Sequence, residues 1–533
     1  MIEAADAPLS AGARRVSRTT RWLIPIGLTA TAAALRFWAI SWGAPGRIDL
    51  HPDETEHVMS HALAISFADP DPHFLNYPSL LIYLIALANG ALTRLGAVTA
   101  AWQSYVAARG IVAAFGALTA PAAFWLGREL GGSLLGAAIG GLWVTLLPLH
   151  VWESHFAVTD VVMTFWIVIT LAASVRLLRD GSRRAYVFVG VALGLAVASK
   201  YTAALVAISP LAATLLAPRA AADSARNLFA LAVAALVACF VATPFSFLHF
   251  SQLRAAMAQE YEHVHSLHYG FSLPAVGWQY HKYVYELFAG FPFSLGVALY
   301  ASVAAGTAHA LLRPRRETLV VLAFVVPFFV ILGHWTFTPL RYMLPVLVVG
   351  AVFAGLWQAS WLESGQPWRR ASAAVAAVLT LAYTAPFTIS TTARFRHDTR
   401  IEAAEWLDRT LHPGQRLLLC GFSPYLAVPN DPRIAVDTAG EVWISRLAER
   451  VDFDLVEISS LHFWRYERHR HPAFDPAYRH FRAGERGFHL VQRFEGDYLN
   501  RDFYRRLDPM FAGYFISPTV EFYARDAAPT PRT

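Results

Sequence analysis

The sequence WLIPIGLTATAAALRFWAISW, residues 22–42, decides the fold class, because Arg36 is its only charged residue. A run of about 18 or more apolar residues is long enough to cross a lipid bilayer as a helix. A second run, residues 227–244, carries no charge at all. The 533-residue chain is 56% hydrophobic and 15% charged, whereas soluble domains contain about 25% charged residues. These features predict a mainly α-helical, polytopic membrane protein.

Twelve apolar runs lie between residues 22 and 389, and the arginines indicate which of them span the membrane. Basic residues collect on the cytoplasmic side of membrane proteins. If the run 79–98 lies along the outer surface, every arginine cluster in the short connections falls on the cytoplasmic side. The sequence therefore predicts outer-face juxtamembrane helices, a cytoplasmic N-terminus and about 11 transmembrane helices. These approximate runs are 22–43, 104–127, 132–149, 160–178, 185–199, 201–217, 227–244, 288–311, 318–333, 341–359 and 371–389.

This topology places the long polar connections on the non-cytoplasmic side of a cell inner or plasma membrane. It predicts a transmembrane domain 1–389, with a first catalytic outer loop 44–78 and a large outer loop 245–287. Residues 390–533 have mixed charge and strand-like segments without a spanning run, so we expect a small extracytoplasmic α/β domain. The net charge of +6 does not indicate nucleic-acid binding, because the arginines flank apolar runs and form no single patch.

The first outer loop contains HPDETEH, residues 51–57, for which three interpretations stay open. Asp53 and Glu56 match the capping-box spacing, so Asp53 could simply cap a helix. A carboxylate at this boundary could instead take a proton from a hydroxyl group. Asp53, His57 and His61 also repeat at helical spacing, which suits either a metal site or a solvated polar face. A divalent metal is therefore possible, and no cofactor is certain.

Three later segments place further charges at the same outer face. Asp160 begins a span, where a helix N-terminus favours an anion, so capping alone would explain it. Lys200 interrupts two apolar runs and is either an anchor reaching the interface or the partner of a phosphate. Arg341 and Tyr342 lie at the outer end of a span, where an arginine opposes the general charge bias. Guanidinium groups bind phosphate oxygens bidentately, so Arg341 indicates an anionic ligand.

Six segments occur in an order that resembles a known family over about residues 20–350. They are LHPDE (50–54), NYPSLLIYL (76–84), AARGIVAAFGALTAPAAFWLGRELGG (107–132), SHFAVTDVVMTFW (154–166), GLAVASKYTAAL (194–205) and LRYMLP (340–345). With them the chain resembles the GT-C membrane glycosyltransferases, and within these the branch of the protein O-mannosyltransferases and the lipid A aminoarabinose transferase. The resemblance implies a GT-C-like helix bundle.

The resemblance also implies a function and a set of site residues. The chain would be an inverting glycosyltransferase that moves a sugar from a polyprenyl-phosphate-linked donor to a hydroxyl of a lipid, glycan or protein acceptor, outside the cytoplasm. Asp53 would be the catalytic base, and Glu54 beside it, the second catalytic residue, would bind substrate. In the lipid A enzyme, an acid and a lysine that serve metal and phosphate precede the proline of YPSL, whereas Asn76 and Tyr77 stand here. The substrate-binding residues would be Asp160, Lys200, Arg341, Tyr342, His57 and Tyr77.

Two alternatives to this function come from other classes of membrane protein. A secondary transporter would also have about a dozen helices, but transporters place charges near the bilayer midplane and show repeated halves. Here the acids lie in loops at one face and no internal repeat is visible. An O-antigen ligase or polymerase also uses lipid-linked sugars outside the cytoplasm, but gives no reason for an Asp-Glu pair directly after the first span.

Overall fold

The chain is mainly helical, in agreement with the fold class predicted from its sequence. The structure is a computed structural model and describes residues 18–46, 50–266, 282–419, 434–438, 453–460, 481–484, 487–507 and 516–526. The apolar runs form the long helices, and the polar segments between them form short helices and turns. The long helices are α1 (Arg18–Phe37), α3 (Leu80–Arg94), α4 (Ala101–Glu129), α5 (Leu134–Leu146), α7 (Thr159–Leu177), α8 (Arg183–Ser199), α10 (Ala221–Ala242), α12 (Phe250–His265), α14 (Val297–Leu312), α15 (Arg316–Gly333), α16 (Leu344–Leu362) and α17 (Pro367–Ala393).

Short helices connect the long ones, several of them at turns of irregular pitch. A π-helical turn, Asp53–Met59, precedes α2, and a second, Glu286–Gly290, precedes α13. Turns of 3₁₀ helix, Tyr201–Ala207 and Leu340–Met343, lead into α9 and α16. The short helices are α2 (Ser60–Ala64), α6 (Pro148–Glu153), α9 (Ile208–Leu216), α11 (Phe245–Leu248), α13 (Phe291–Leu295), α18 (Thr399–Thr410) and α19 (Arg501–Leu507).

Each of the eleven runs predicted to span contains a helix in the structure. Among the described helices, six are long and apolar enough to cross a membrane, and a seventh is obtained if the pair Glu286–Leu295 and Val297–Leu312, bent by 119°, counts as one span. The others are shorter, so the number eleven stays a prediction. The run 79–98 forms the 15-residue helix α3, which at 1.5 Å per residue is about 22 Å long.

Small residues allow the bundle helices to pack closely. A Cβ atom at Gly190 would lie 2.3 Å from the carbonyl oxygen of Leu231, and one at Gly194 would lie 2.3 Å from that of Ala235. Both glycines are in α8, one turn apart, and face α10. This is the small-residue spacing that lets membrane helices approach through their backbones.

The C-terminal region contains a five-stranded sheet with the order β2-β1-β3-β5-β4. The strand-like sequence segments RLLLC (416–420), RIAVD (433–437) and FDLVEIS (453–459) overlap its parallel part, β1 to β3. The sequence did not predict β4 or β5, which pair antiparallel. Helix α18 packs on this sheet through Ala403 and Leu407. The strands are β1 (Arg416–Leu419), β2 (Ala435–Thr438), β3 (Leu455–Ser459), β4 (Phe488–Phe494) and β5 (Val520–Arg525).

The helix ends define two faces of the bundle. At one end α7 begins, α8 ends, α15 ends and α16 begins, and the first polar loop and the C-terminal sheet lie at this end. We call it the site face. At the opposite end α4, α14 and α16 finish and α5, α15 and α17 start, joined by short connections that contain arginines. The chemistry-bearing residues predicted from the sequence lie at the site face.

Candidate active site

Asp53 is the first residue of the π-helical turn after Pro52 and does not cap it. The residue at the N-cap position is Pro52, which makes no side-chain cap, so the capping interpretation of Asp53 is wrong. The Asp53 carboxylate instead pairs through Oδ2 with the Nη2 atom of Arg341, which is 288 residues further along the chain. The side chain of Asp53 keeps 21% of its surface exposed. A substrate can therefore reach this carboxylate.

Arg341 and Lys200 join Asp53 to a second carboxylate, Asp160. The Nε atom of Arg341 lies 3.4 Å from Oδ2 of Asp160, and the Lys200 amine donates to Oδ1 of Asp160 at 2.6 Å. Asp160 is in the first turn of α7, and its N-cap is Val158, so Asp160 does not cap that helix. Lys200 is buried at the end of α8 and ion-paired, which differs from a snorkelling anchor. The structure thus brings these four predicted residues together.

Tyr342 forms an aromatic wall beside the two cations. The Lys200 amine lies 3.6 Å from the centroid of the Tyr342 ring, and the Arg341 guanidinium carbon lies 5.6 Å from it. The Lys200 amine also lies 6.0 Å from the centroid of the Tyr77 ring. Cations over aromatic faces are attracted by the ring quadrupole. The two tyrosines therefore stabilise Lys200 as a charged group in a buried place.

Glu153 is a third carboxylate near this cluster that the sequence did not single out as a site residue. Burial raises the pKa of Glu153 to about 8, although Arg341 and Lys200 oppose the shift, and Asp160 and Asp53 add to it. Its Oε2 atom accepts no hydrogen bond from the residues that the structure describes. The physical cause is desolvation, which disfavours the charged form. Glu153 is therefore mainly neutral at pH 7.

Opposing effects act on the pKa of Asp53. Burial raises this pKa. The positive charge of Arg341, with smaller contributions from His51, His57 and Lys200, lowers it by a larger amount. The net result is a pKa below the usual value for aspartic acid. Asp53 is therefore ionised throughout the physiological pH range and can accept a proton.

Glu54 points away from Asp53 into the bundle, where it pairs with Arg109 of α4. Oε1 and Oε2 accept from the Nε and Nη2 atoms of Arg109 at 2.8 and 2.7 Å, and Oε1 also accepts from the amide of Ala157 at 2.9 Å. Neither side chain of the pair has exposed surface. Arg109 also donates to the carbonyl oxygen of Trp42. The pair therefore ties the first outer loop to the helix bundle at the position next to Asp53.

His57 and His61 lie on the ring of Phe74. The ring centroids are 5.6 Å apart for His57 and 4.5 Å for His61, and Nδ1 of His61 contacts the carbonyl oxygen of Pro72 at 2.9 Å. The set Asp53, His57 and His61 is therefore not a ligand set, which corrects that interpretation of the spacing. No group of three or more His, Cys, Asp or Glu side chains within the described ranges could hold a metal ion.

His263, His265 and His268 form a second histidine group in the sequence, and the first two of them lie at the end of α12. His265 contacts the carbonyl oxygen of Tyr261 through Nδ1 at 2.7 Å, and the His263 ring packs edge-on against Phe337. His268, the third histidine of this group, lies outside the described residues. The described members of the group thus make contacts within their own part of the loop.

A cavity of about 630 Å³ opens beside the acid–cation cluster. We call it the site cavity. The Lys200 amine and the Tyr342 ring lie in its wall, and Asn76 faces Glu260 across it with a hydrogen bond of 2.9 Å. The rest of the wall is mostly apolar or aromatic, which is typical of sites that bind a ligand with a long apolar part. Its further lining residues include Tyr77, Tyr201, Tyr261, Val264, Tyr283, Val330, Ile331, His334 and Trp335.

The C-terminal region is joined to the first outer loop by a buried ion pair. Asp398 accepts hydrogen bonds from the Nη2 and Nε atoms of Arg400 at 2.8 and 2.9 Å, and from the indole of Trp42 at 3.1 Å. Arg400 donates in turn to the carbonyl oxygen of Leu50 at 2.9 Å. Leu50 lies three residues before Asp53, so the C-terminal region holds the start of the segment that carries Asp53.

Comparisons with known proteins agree with the fold of the chain. Residues 28–250 match the model of the dolichyl-phosphate-mannose-protein mannosyltransferase family. The archaeal oligosaccharyltransferase AglB from Archaeoglobus fulgidus, solved with an inhibitory peptide and a dolichol-phosphate, is similar with a TM-score of 0.52 and 13% identity over 90% of this chain and 74% of that chain. ArnT from Cupriavidus metallidurans in the apo state is similar with a TM-score of 0.50 and 17% identity over 95% of this chain and 98% of that chain. No curated protein sequence matches the chain.

At these identities the structural likeness shows a shared fold. The family match covers the part of the chain that carries Asp53, Glu54, Asp160 and Lys200. Arg341 lies beyond it, yet the fold brings Arg341 into contact with Asp53 and Asp160.

Proposed function

We propose that this chain is a membrane glycosyltransferase that transfers a sugar from a polyprenyl-phosphate-linked donor to a hydroxyl of an acceptor. The observation that carries the proposal is the sharing of Arg341 between Asp53 and Asp160, next to Lys200 and the site cavity. A partly exposed carboxylate and two cations thus lie together at the edge of an apolar cavity. This combination suits a hydroxyl nucleophile and a lipid-linked phosphate leaving group.

Asp53 acts as the base in this proposal. Its low pKa keeps it ionised, and it is the carboxylate of the cluster with the most exposed surface. As the acceptor oxygen bonds to the anomeric carbon, its proton passes to the carboxylate of Asp53. The bond from the anomeric carbon to the phosphate oxygen breaks on the opposite face. Its electron pair leaves with polyprenyl phosphate, and the anomeric configuration is inverted.

Lys200 and Arg341 hold the donor phosphate in the proposal. Both cations are paired with carboxylates, so a phosphate of the donor would exchange with these anions. Guanidinium and ammonium groups form their strongest hydrogen bonds to ionised oxygens, and they stabilise the charge that develops on a leaving phosphate. Transfer of Arg341 from Asp53 to the phosphate would also free the base. Donor binding and activation of Asp53 are therefore linked.

The remaining predicted residues shape the binding site. Tyr342 and Tyr77 form the aromatic wall around Lys200, and the apolar part of the site cavity would hold the first isoprene units of the donor. His57 packs near Tyr77, at a centroid distance of 5.6 Å, and supports this wall. Glu54 positions the loop through Arg109. The acceptor is a lipid, a glycan or a protein with a free hydroxyl.

The membrane orientation is part of the proposal. The arginines at the face opposite the site support a cytoplasmic location for that face, because basic residues concentrate on the cytoplasmic side. The site face and the C-terminal region from residue 390 are then extracytoplasmic. A reporter fused after Arg184 should read cytoplasmic, and one fused after Arg400 should read extracytoplasmic. The reverse pair of readings would contradict this orientation.

The experiment that tests the function is the substitution Asp53→Asn. The purified protein is incubated with polyprenyl-phosphate monosaccharides and native membranes as the acceptor source, and the release of polyprenyl phosphate is measured. Loss of a general base lowers the rate by about 10² to 10⁴-fold. Asp69→Asn is the matched control, because Asp69 is an exposed acid of the same loop. Near-normal release by Asp53→Asn in a folded protein would contradict the role of Asp53 as the base.

Donor binding separates the base from the phosphate-binding residues. Native mass spectrometry of Asp53→Asn should still detect a bound glycosyl-phosphate lipid, because Lys200 and Arg341 are intact. Lys200→Gln should reduce that binding. Absence of any such lipid from wild-type protein that has been supplied with the donors would contradict the proposed donor class.

A further inference from the structure

A second polar cavity lies at the face of the bundle opposite the active site. Its volume is about 730 Å³. It lies where three helix connections meet: α4 to α5, α14 to α15, and α16 to α17. We call it the basic cavity. Its polar lining residues are Ser133, His309, Arg313, Arg315, Thr318, Ser360, Glu363 and Arg369.

The charge of this cavity is positive. Arg313, Arg315 and Arg369 line it, against one carboxylate, Glu363. Arg313 and Arg315 make no ion pair with any residue in the described part of the chain. The guanidinium of Arg369 lies over the ring of Trp368 at 5.3 Å, and its Nε–H group donates no hydrogen bond to any of the described residues. The cavity therefore holds cations whose charge is not balanced from within it.

Two helix N-termini add to this positive field. Helix α5 starts directly after Ser133 and helix α15 directly after Arg315, and both residues line the cavity. The N-terminus of a helix carries a partial positive charge and free amide groups, and it binds phosphate and other anions. Cations and helix termini thus favour the same class of ligand at one place.

The inner wall of the basic cavity is apolar and aromatic. Phe353, Leu356, Trp357 and Trp361 of α16 form this wall. Tryptophan side chains concentrate where membrane helices leave the hydrocarbon core. Basic pockets between membrane helices at such a boundary suit a charged lipid headgroup above its acyl chains. A small soluble anion has no apolar part that would contact this wall.

We propose that the basic cavity binds the phosphate headgroup of an anionic membrane lipid. Arg313 and Arg315 contact the phosphate oxygens, Arg369 closes the side, and the acyl chains lie along the wall of α16. The site is separate from the active site and does not depend on the proposed transferase function. Its ligand comes from the membrane leaflet that faces away from the active site.

The test measures lipid retention by the full-length protein in nanodiscs of phosphatidylcholine with or without phosphatidylglycerol. Wild-type protein released into detergent should carry phosphatidylglycerol in native mass spectra in preference to phosphatidylcholine. The double variant Arg313→Gln/Arg315→Gln should bind it about 25-fold more weakly, because each basic residue near an anionic lipid contributes about fivefold. Equal retention of the two lipids by the wild type would overturn the proposal.

The matched control is the double variant Arg183→Gln/Arg184→Gln. It removes the same charge at the same face, at exposed positions outside the basic cavity, and should retain phosphatidylglycerol within about twofold of the wild type. Equal loss of phosphatidylglycerol in both double variants would mean that general surface charge causes the effect, and it would overturn the proposed site. A third arm adds inorganic pyrophosphate to lipid-free protein. Suppose that pyrophosphate stabilises the wild type against heat but does not stabilise Arg315→Gln, and that the wild type shows no preference for phosphatidylglycerol. This result would overturn the lipid assignment.

Discussion

The pair formed by Glu54 and Arg109 allows a sharp test of how the first outer loop is held. Glu54→Gln keeps the shape of the side chain but leaves the Arg109 guanidinium buried without a counter-charge. Both side chains are fully buried, and three hydrogen bonds converge on the Glu54 carboxylate. Removing one partner of a buried ion pair costs about 3–5 kcal/mol, because the remaining charge is uncompensated. The single substitution should therefore destabilise the protein strongly.

The assay compares the apparent Tm in detergent with the rate of sugar transfer. Glu54→Gln should lower the Tm by about 5 °C or more, and it should also slow transfer, since a shift of about 1 Å in a catalytic group can cost about 100-fold. Donor binding should persist, because Glu54 does not line the site cavity. Glu56→Gln is the control, as Glu56 is an exposed acid of the same turn and should leave both quantities unchanged.

The double variant Glu54→Leu/Arg109→Met completes the cycle. Both charges are then absent, and buried ion pairs replaced by apolar residues of similar volume often cost little stability. The double variant should therefore be more stable than either of the single variants Glu54→Leu and Arg109→Met. An unchanged Tm together with loss of donor binding in Glu54→Gln would refute this reasoning and return Glu54 to the substrate-binding role implied by the family resemblance.

Two further predictions concern the base and its support. Arg341→Gln removes the main charge that holds the pKa of Asp53 below its usual value. The acid limb of kcat/KM, which reports the free enzyme, should therefore move to higher pH, and an unmoved limb would mean that another group sets it. Asp398→Asn removes the counter-charge of Arg400 and should lower kcat more than donor affinity, as measured by turnover and by donor binding. The control is Asp408→Asn, at an exposed position. Equal losses in both variants would argue against a role of Asp398 in positioning Asp53.

The helices and part of the site could be predicted because their signals are local. Apolar runs gave the positions of the membrane helices, and short apolar segments in a polar region gave β1 to β3. Strand β4 was not predicted, because most of its residues are exposed or half-buried and its apolar pattern is weak. The capping interpretation of Asp53 was wrong for a related reason. The short-range pattern fits a cap, but the distant Arg341 pairs with the carboxylate.

The pairings that build the site could not be predicted, because they join residues far apart in the chain. Arg109 lies 55 residues after Glu54, and Asp398 lies 356 residues after Trp42. Arg109 had one available signal: an arginine within a long apolar run needs a buried counter-charge. That signal predicts that an acidic residue pairs with Arg109, but it does not identify which one. Several acids lie in the outer loops, and only the fold selects Glu54.

The charges of the cluster set the order in which substrates can bind. Asp53 and Asp160 balance Lys200 and Arg341, and Glu153, with a pKa of about 8, adds little negative charge at pH 7. An incoming phosphate would therefore compete with a carboxylate for these cations, and the partly exposed Asp53 is displaced more easily than the buried Asp160. Displacement raises the pKa of Asp53, since Arg341 no longer favours the charged form, and makes it a stronger base. An acceptor hydroxyl that arrived first would meet a carboxylate still paired with Arg341, so the proposed reaction requires the donor to bind before the acceptor.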